Sequence, residues 1–320
     1  MSLKIKNLSI RNGNQWILRD IDLEAHPGKI FGICGASGSG KTGLLKAIAG
    51  KSKISSGQIV HFGRDVTQDT RSRGFDLLTA DETGIAPLLN AYRSRGSAGE
   101  IQRSRFEAFM RSAGSAILLD EPFCSVDPLT TAELSKAVKS WVNDGHIAII
   151  ASSSFEFLAP LADEILLIGN GYAKQTGSPK DLYEHPNSEL AARLTGETNL
   201  IRARRLSSSD VALPEFQTLD GDLRIFSQPT PKNRLAPLHK DCTLSIRPEQ
   251  VTISMGASFP EDNLLKAIVT DITFQGATTL ISFDAAGLHL RSRVFKIVDL
   301  PLGTECMLGL PPDRIIVLNG

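Results

Sequence analysis

Apolar and polar positions alternate over residues 3–10 and again over 17–23, the period-two pattern of half-buried strands, with Asn12-Gly13-Asn14 as the turn between them. Lys29-Ile30-Phe31-Gly32-Ile33-Cys34 then reads as a short buried strand. A Gly/Ser-rich turn follows, and after it a helix with Leu44, Leu45 and Ile48 on one face, closed by Gly50. Ala116–Leu119 and Ile147–Ala151 are apolar runs of strand length, and 130–142 has helical spacing. Strand and helix alternate, which predicts a parallel α/β core. Residues 165–168, 169–171 and 172–175 read as a hairpin, and 188–195 as a helix ending at Gly196.

The texture changes after about residue 197. Helical spacing disappears, and short strands are predicted at 264–274, 278–283, 288–294, 305–310 and 315–318. This predicts an all-β module of barrel type. The Ser-, Pro- and Asp-rich stretch 206–240 is expected to hold long loops. The expected division is therefore 1–196 and 197–320, and a length of 320 residues suits two domains.

Composition narrows the function classes. Lys+Arg and Asp+Glu both number 35, so no bulk positive charge supports nucleic-acid binding, and no nucleic-acid partner is expected. No apolar run approaches the roughly 20 residues of a membrane helix. The opening Met1-Ser2-Leu3-Lys4-Ile5-Lys6 lacks the apolar stretch of a signal peptide. Cys34, Cys124, Cys242 and Cys306 form no close pair, which argues against a disulfide framework or a zinc site and suits a reducing compartment.

Gly35-Ala36-Ser37-Gly38-Ser39-Gly40-Lys41-Thr42 fits GxxxxGK[ST], after a predicted strand and opening a predicted helix. Glycines let backbone N–H groups converge on an anion, and the helix N-terminus adds partial positive charge. Gly35, Ser37, Gly38, Ser39 and Gly40 are thus candidate phosphate binders. Lys41 is expected to reach the β- and γ-phosphates, and the Thr42 hydroxyl to ligate Mg²⁺. Leu118-Leu119-Asp120-Glu121 ends a buried strand in two carboxylates. Asp120 is the candidate metal partner, and Glu121 the group that polarises a water for attack on the γ-phosphate.

Together with Pro122, Asp127-Pro128, the opening strands, Leu161-Ala162-Asp163-Glu164-Ile165 and Gly177-Ser178-Pro179, these motifs resemble the nucleotide-binding subunit of ABC transporters. Ile246-Arg247-Pro248-Glu249 and Leu308-Gly309-Leu310 resemble the TOBE-type β domain, an OB-like module of importers for sugars, polyamines, iron, sulfate or molybdate. The resemblance implies an α/β P-loop domain of ABC type followed by an all-β OB-like TOBE domain. It also implies ATP and Mg²⁺ as cofactors, transmembrane permease subunits and a second nucleotide-binding subunit as partners, and a cytoplasmic, membrane-peripheral location.

Five features depart from the family pattern. Asn12 stands where an adenine-stacking aromatic is usual; Trp16, four residues on, is either a substitute or part of the hairpin, and the hairpin role is preferred. No Gln occurs from Asp69 to Ile101, so the Q-loop glutamine is missing. The signature position reads Gly96-Ser97-Ala98-Gly99-Glu100, in which Ser97 and Gly99 either retain part of the γ-phosphate contact or belong to a small-residue loop. Ser153 replaces the switch histidine as a hydrogen-bonding catalytic candidate, and His146 lies at the wrong end of the strand, about 15 Å away at about 3.3 Å per residue. The chain between Thr42 and Asp120 is short, implying a reduced helical subdomain. The arginines of segment 64–95 read either as a solvated loop or as an anion patch.

Two functions follow as expectations. One is the ATP-binding subunit of an ABC importer, an ATPase coupling hydrolysis to solute uptake. The other is a degenerate subunit that holds ATP as a structural or regulatory ligand with little hydrolysis. A small-molecule kinase is disfavoured by the β domain and by Asp127.

Overall fold

The computed structural model describes residues 2–69, 73–79, 98–123, 127–206, 213–231, 235–254, 263–295 and 300–318. The chain divides into two compact units, Met1–Glu184 and His185–Gly320.

In the first unit, β1 (Leu3–Asn12), β2 (Gln15–Ala25), β4 (Ser56–His61) and β5 (Arg64–Asp65) form an antiparallel sheet in the order β2-β1-β4-β5. A second sheet contains β3 (Lys29–Cys34), β6 (Asp76–Leu78), β7 (Ala116–Asp120), β8 (Ile147–Ser152), β9 (Glu164–Gly169) and β10 (Tyr172–Gly177). Its order is β10-β9-β3-β8-β7-β6, and all its pairings are parallel except that of β10. Among the described residues its helices are α1 (Lys41–Ile48), α2 (Ala98–Ser112), α3 (Pro128–Asn143), α4 (Phe155–Leu158) and α5 (Pro179–Glu184).

The two sheets differ as their sequences dictate. Every residue of β7 and β8 is buried, as in strands covered on both faces, whereas β1 begins by alternating buried and exposed positions. Leu44, Leu45 and Ile48 of α1 share one hydrophobic cluster with residues of β1, β2, β3, β7, β8 and β9. At about 1.5–3 kcal/mol for each fully buried aliphatic side chain, this packing fixes the N-terminus of α1 against the carboxyl end of β3. Arg73 is neither a solvated nor an anion-patch arginine. It is buried, and its guanidinium donates to the carbonyls of Ala47, in the last turn of α1, and of Thr67 and Asp69. Arg64 is exposed and pairs with Asp69 at 3.3 Å. Arg71, Arg93 and Arg95 lie outside the described residues.

The second unit opens with α6 (Glu189–Thr195), followed by β11 (Asn199–Arg205), β12 (Glu215–Thr218), β13 (Arg224–Phe226) and β14 (Asp241–Ile246). Then come β15 (Thr252–Ser254), β16 (Asn263–Phe274), β17 (Thr279–Ala285), β18 (Leu288–Val294), β19 (Glu305–Leu310) and β20 (Ile316–Leu318). They form two five-stranded antiparallel sheets, β13-β12-β11-β14-β20 and β15-β19-β16-β17-β18, around one core. Two asparagines join the sheets where no ladder does. The Asn199 amide donates to the Arg291 carbonyl and accepts from its N–H, at 2.9 and 2.7 Å. The Asn263 amide does the same for Phe226, at 2.9 and 2.7 Å. The stretch expected to hold long loops also contains β12 and β13, strands of 4 and 3 residues and too short for a periodic signal.

Arg247, in the Ile246–Glu249 motif, is a buried staple of this unit. Its guanidinium donates to the carbonyls of Ala192, Gly196 and Glu197 and to the Thr195 hydroxyl, closing the C-terminus of α6. Arg247→Ala leaves these acceptors without their donor. We expect a loss of about 2–4 kcal/mol, read as a lower unfolding midpoint for this unit in calorimetry. An unchanged midpoint would show that water replaces the guanidinium at no cost.

Candidate functional site

The phosphate-loop sequence connects the end of β3 to the start of α1. Gly40, the residue before α1, has φ +105°, and a Cβ there would lie 2.6 Å from Leu18 Cδ2. The site thus needs glycine both for its backbone and for close contact with β2. The Lys41 ammonium is almost fully buried and donates to the carbonyls of Gly35 (2.7 Å) and Ala36 (3.1 Å). Cys34, just before the loop, is also buried. Burial pushes its thiol up to about 11, so it is no nucleophile at neutral pH.

A cavity of about 280 Å³ opens above the loop, lined by Ser37, Gly38, Ser39, Gly40, Lys41, Thr42, Glu121 and Ser153. The first six come from one turn of chain and the other two from the ends of adjacent parallel strands. Asp120 pairs with Ala151 in the β7–β8 register, which places the residues after both strands side by side. Gly35 lies at the base of the loop. Asp120, the last residue of β7 and the neighbour of the lining residue Glu121, is 3% exposed.

Asp120 is held in a way that suits a cation. The Thr42 hydroxyl lies beside its carboxylate and favours the charged form, while Oδ1 is buried with no hydrogen-bond partner. Burial raises the Asp120 pKa above the ordinary value of 3.8, with the nearby Glu121 charge acting in the same direction and the Thr42 hydroxyl and Lys41 opposing them. An orphaned carboxylate oxygen beside a hydroxyl is a hard-oxygen donor set of the kind that Mg²⁺ shares with phosphates and water. No group of three or more His, Cys, Asp or Glu able to hold a metal by itself occurs among the described residues. Ser39 Oγ is a second buried oxygen without a partner.

Glu121 has φ +46°, in the left-handed region that non-glycine residues rarely occupy, and its N–H donates to Ala151 O at 2.9 Å. Its carboxylate accepts from the Ser152 hydroxyl (Oε2, 2.9 Å) and from the Ser153 N–H (Oε1, 2.6 Å), and lies 3.8 Å from Lys41 Nζ. Ser152 was not among the sequence candidates. No sequence signal marks it, because the β7–β8 register that sets it opposite Glu121 is a tertiary fact.

The other motif residues have local roles. Asp127 caps α3, accepting from the N–H groups of Leu129 and Thr130. Asp163 accepts from the Ile30 N–H at 2.8 Å, tying the segment before β9 to β3. His146 stacks on Trp141 and contacts its carbonyl at 2.8 Å, a structural histidine. Trp16 pairs across the hairpin with Arg11, whose guanidinium lies 3.6 Å from the ring centroid. Asn12 is exposed at the end of β1. Gly99 lies in the first turn of α2, whereas Ser97 and Cys124 lie outside the described residues.

The arrangement offers a cation and a helix N-terminus to a polyphosphate, a buried carboxylate oxygen to a metal, and an ordered carboxylate beside the same cavity. Residues 18–81 match the ABC transporter family and residues 244–318 the TOBE domain family. The sulfate/thiosulfate import ATP-binding protein CysA of Synechocystis sp. is 31% identical over 243 residues, covering 63% of this chain and 67% of the relative. The molybdate/tungstate import ATP-binding protein WtpC of Pyrococcus horikoshii is 27% identical over 344 aligned residues, covering 94% of each chain. CysA of Pectobacterium atrosepticum is 27% identical over 293 residues, covering 77% of this chain and 88% of the relative. The chain therefore belongs to the ABC-transporter ATP-binding subunits, in the import type whose α/β ATPase domain is followed by a TOBE domain.

Proposed function

We propose that this subunit binds Mg·ATP in the cavity above residues 35–42 and drives import of a tetrahedral oxyanion through separate permease subunits. The observation that carries the reading is the orphaned Asp120 Oδ1 beside Thr42, together with a cavity lined by the phosphate loop, Glu121 and Ser153. Loop N–H groups and Lys41 hold the β- and γ-phosphates. Thr42 and Asp120 hold Mg²⁺, which when bound neutralises developing phosphate charge. Glu121 takes the proton of the attacking water, and the Ser153 hydroxyl donates to the γ-phosphate region. Ser97 and Gly99 supply the signature contact to the nucleotide of a second subunit. The oxyanion class rests on the relatives named for sulfate, thiosulfate, molybdate and tungstate. No helix among the described residues is long and apolar enough to cross a membrane. The subunit acts on the cytoplasmic face as a dimer docked to its permease. Residues 1–196, which run past the first compact unit to include α6, are the nucleotide-binding domain, and 197–320 a β domain that stabilises or regulates the dimer.

A second reading, slow hydrolysis with ATP as a regulatory ligand, is favoured by Ser153 at the switch position. A serine carries no imidazolium charge and has a shorter reach.

Thermal unfolding of wild type and Asp120→Asn, with and without Mg·ATP, tests the site. Mg·ATP at about 100 times its Kd stabilises wild type by about 2.7 kcal/mol. Asp120→Asn removes the Mg²⁺-dependent part of that gain yet raises the midpoint of the ligand-free protein. The sign follows from the raised Asp120 pKa. Burying the group stabilises the fold only while it is protonated, below its ordinary 3.8, and that contribution is lost as pH rises through the folded value. The asparagine advantage is therefore complete at neutral pH and fades in acid. An equal Mg·ATP shift in both proteins would refute the metal assignment.

A further inference from the structure

The sequence directs attention to Ser153 as the stand-in for the missing histidine, but Ser153 reaches Glu121 through its N–H, a group that any residue except proline supplies. The residue-specific contact comes from its neighbour. The Ser152 hydroxyl has one proton and is 4% exposed, walled in at the end of β8. Its oxygen accepts the Ser154 N–H at 3.1 Å, and its proton is donated to Glu121 Oε2 at 2.9 Å. With the Ser153 N–H on Oε1 at 2.6 Å, both oxygens of Glu121 are engaged.

We propose that Ser152 is a positioning residue for Glu121, fixing the carboxylate that faces the attacking water. A glutamate side chain has several rotatable bonds, and the Glu121 backbone already sits in the strained left-handed region at φ +46°. One backbone donor fixes one oxygen and leaves the carboxylate free to swing about it. The second donor, itself oriented by the Ser154 N–H, removes that freedom. A carboxylate oxygen has two lone pairs, so each engaged oxygen retains one for the proton of a water. The inference rests on the proposed role of Glu121 as the proton acceptor.

The test is Mg·ATP hydrolysis by the full chain, measured under single-turnover conditions alongside calorimetric Mg·ATP affinity. Supporting contacts of this kind are worth roughly tenfold, so Ser152→Ala is expected to lower the rate about tenfold with affinity within about twofold. Ser152→Thr keeps the hydroxyl and recovers most of the loss. In a Glu121→Gln background, adding Ser152→Ala should change nothing, because the hydroxyl acts only through the carboxylate. If alanine is not tolerated, Ser152→Cys, a weak donor, is read the same way. An unchanged rate in Ser152→Ala, or the same tenfold loss in the Glu121→Gln background, overturns the proposal. The underlying reading fails separately, if Glu121→Gln itself leaves the rate unchanged.

Discussion

Replacing Glu121 by Gln is expected to slow ATP hydrolysis by about 10²–10⁴-fold, the contribution of a positioned general base, while sparing Mg·ATP affinity. Glutamine has nearly the shape of glutamate and still offers one oxygen to the donors at Ser152 and Ser153. It has no charge with which to take a proton. The negative charge removed lies 3.8 Å from Lys41 Nζ, so its loss leaves that ammonium more available to a polyanion. Affinity should therefore stay level or rise as the rate falls. Single-turnover hydrolysis and calorimetry separate the two quantities. Equal rates for wild type and variant would remove Glu121 from the chemistry. A parallel collapse of affinity would make it a binding residue.

The expected split between rate and affinity depends on structure that the sequence shows only in part. GxxxxGK[ST] after a strand specifies its own surroundings, because a glycine-rich turn can present its N–H groups to phosphates only between a buried strand and a helix. The apolar runs at 116–119 and 147–151 have strand length, and their alternation with helical stretches points to a parallel sheet. They are fully buried at β7 and β8. What periodicity could not supply is the register between them. The pairing of Asp120 with Ala151 is a tertiary fact, and it decides that Ser152 and the Ser153 backbone meet Glu121.

The same limit explains the other differences. Arg73 looks like one more surface arginine in a polar loop. Its burial depends on three carbonyls gathered from Ala47, Thr67 and Asp69, two of them contributed by a neighbouring loop and one by a helix end. β12 and β13 lie in a stretch whose Ser, Pro and Asp content reads as loop. β12 is held as a strand by pairing with β11, and β13 by pairing with β12, rather than by their own pattern. The Asn199 and Asn263 bridges replace backbone ladders with side-chain amides, which no alternation of apolar and polar residues encodes.

Lys41→Ala is expected to lower Mg·ATP affinity by about 10²–10⁴-fold, from the loss of two charge-assisted phosphate contacts at about 1.5–3 kcal/mol each. The geometry around Lys41 explains why no neighbour compensates. Lys41 is 6% exposed, and its ammonium is held by the carbonyls of Gly35 and Ala36 at 2.7 and 3.1 Å. Its ammonium thus lies inside the loop, against the loop's own carbonyls. Its removal uncovers two carbonyls that point into an anion site, which repel the ligand and destabilise the loop. Lys41→Met keeps the apolar stem and separates these effects. It should fall as far as alanine in affinity but lose less thermal stability. Calorimetric titration of both variants with Mg·ATP reads the affinity. A value equal to wild type in either would mean that the phosphates are held by backbone N–H groups and the helix terminus alone, and that the buried ammonium serves only to close the loop.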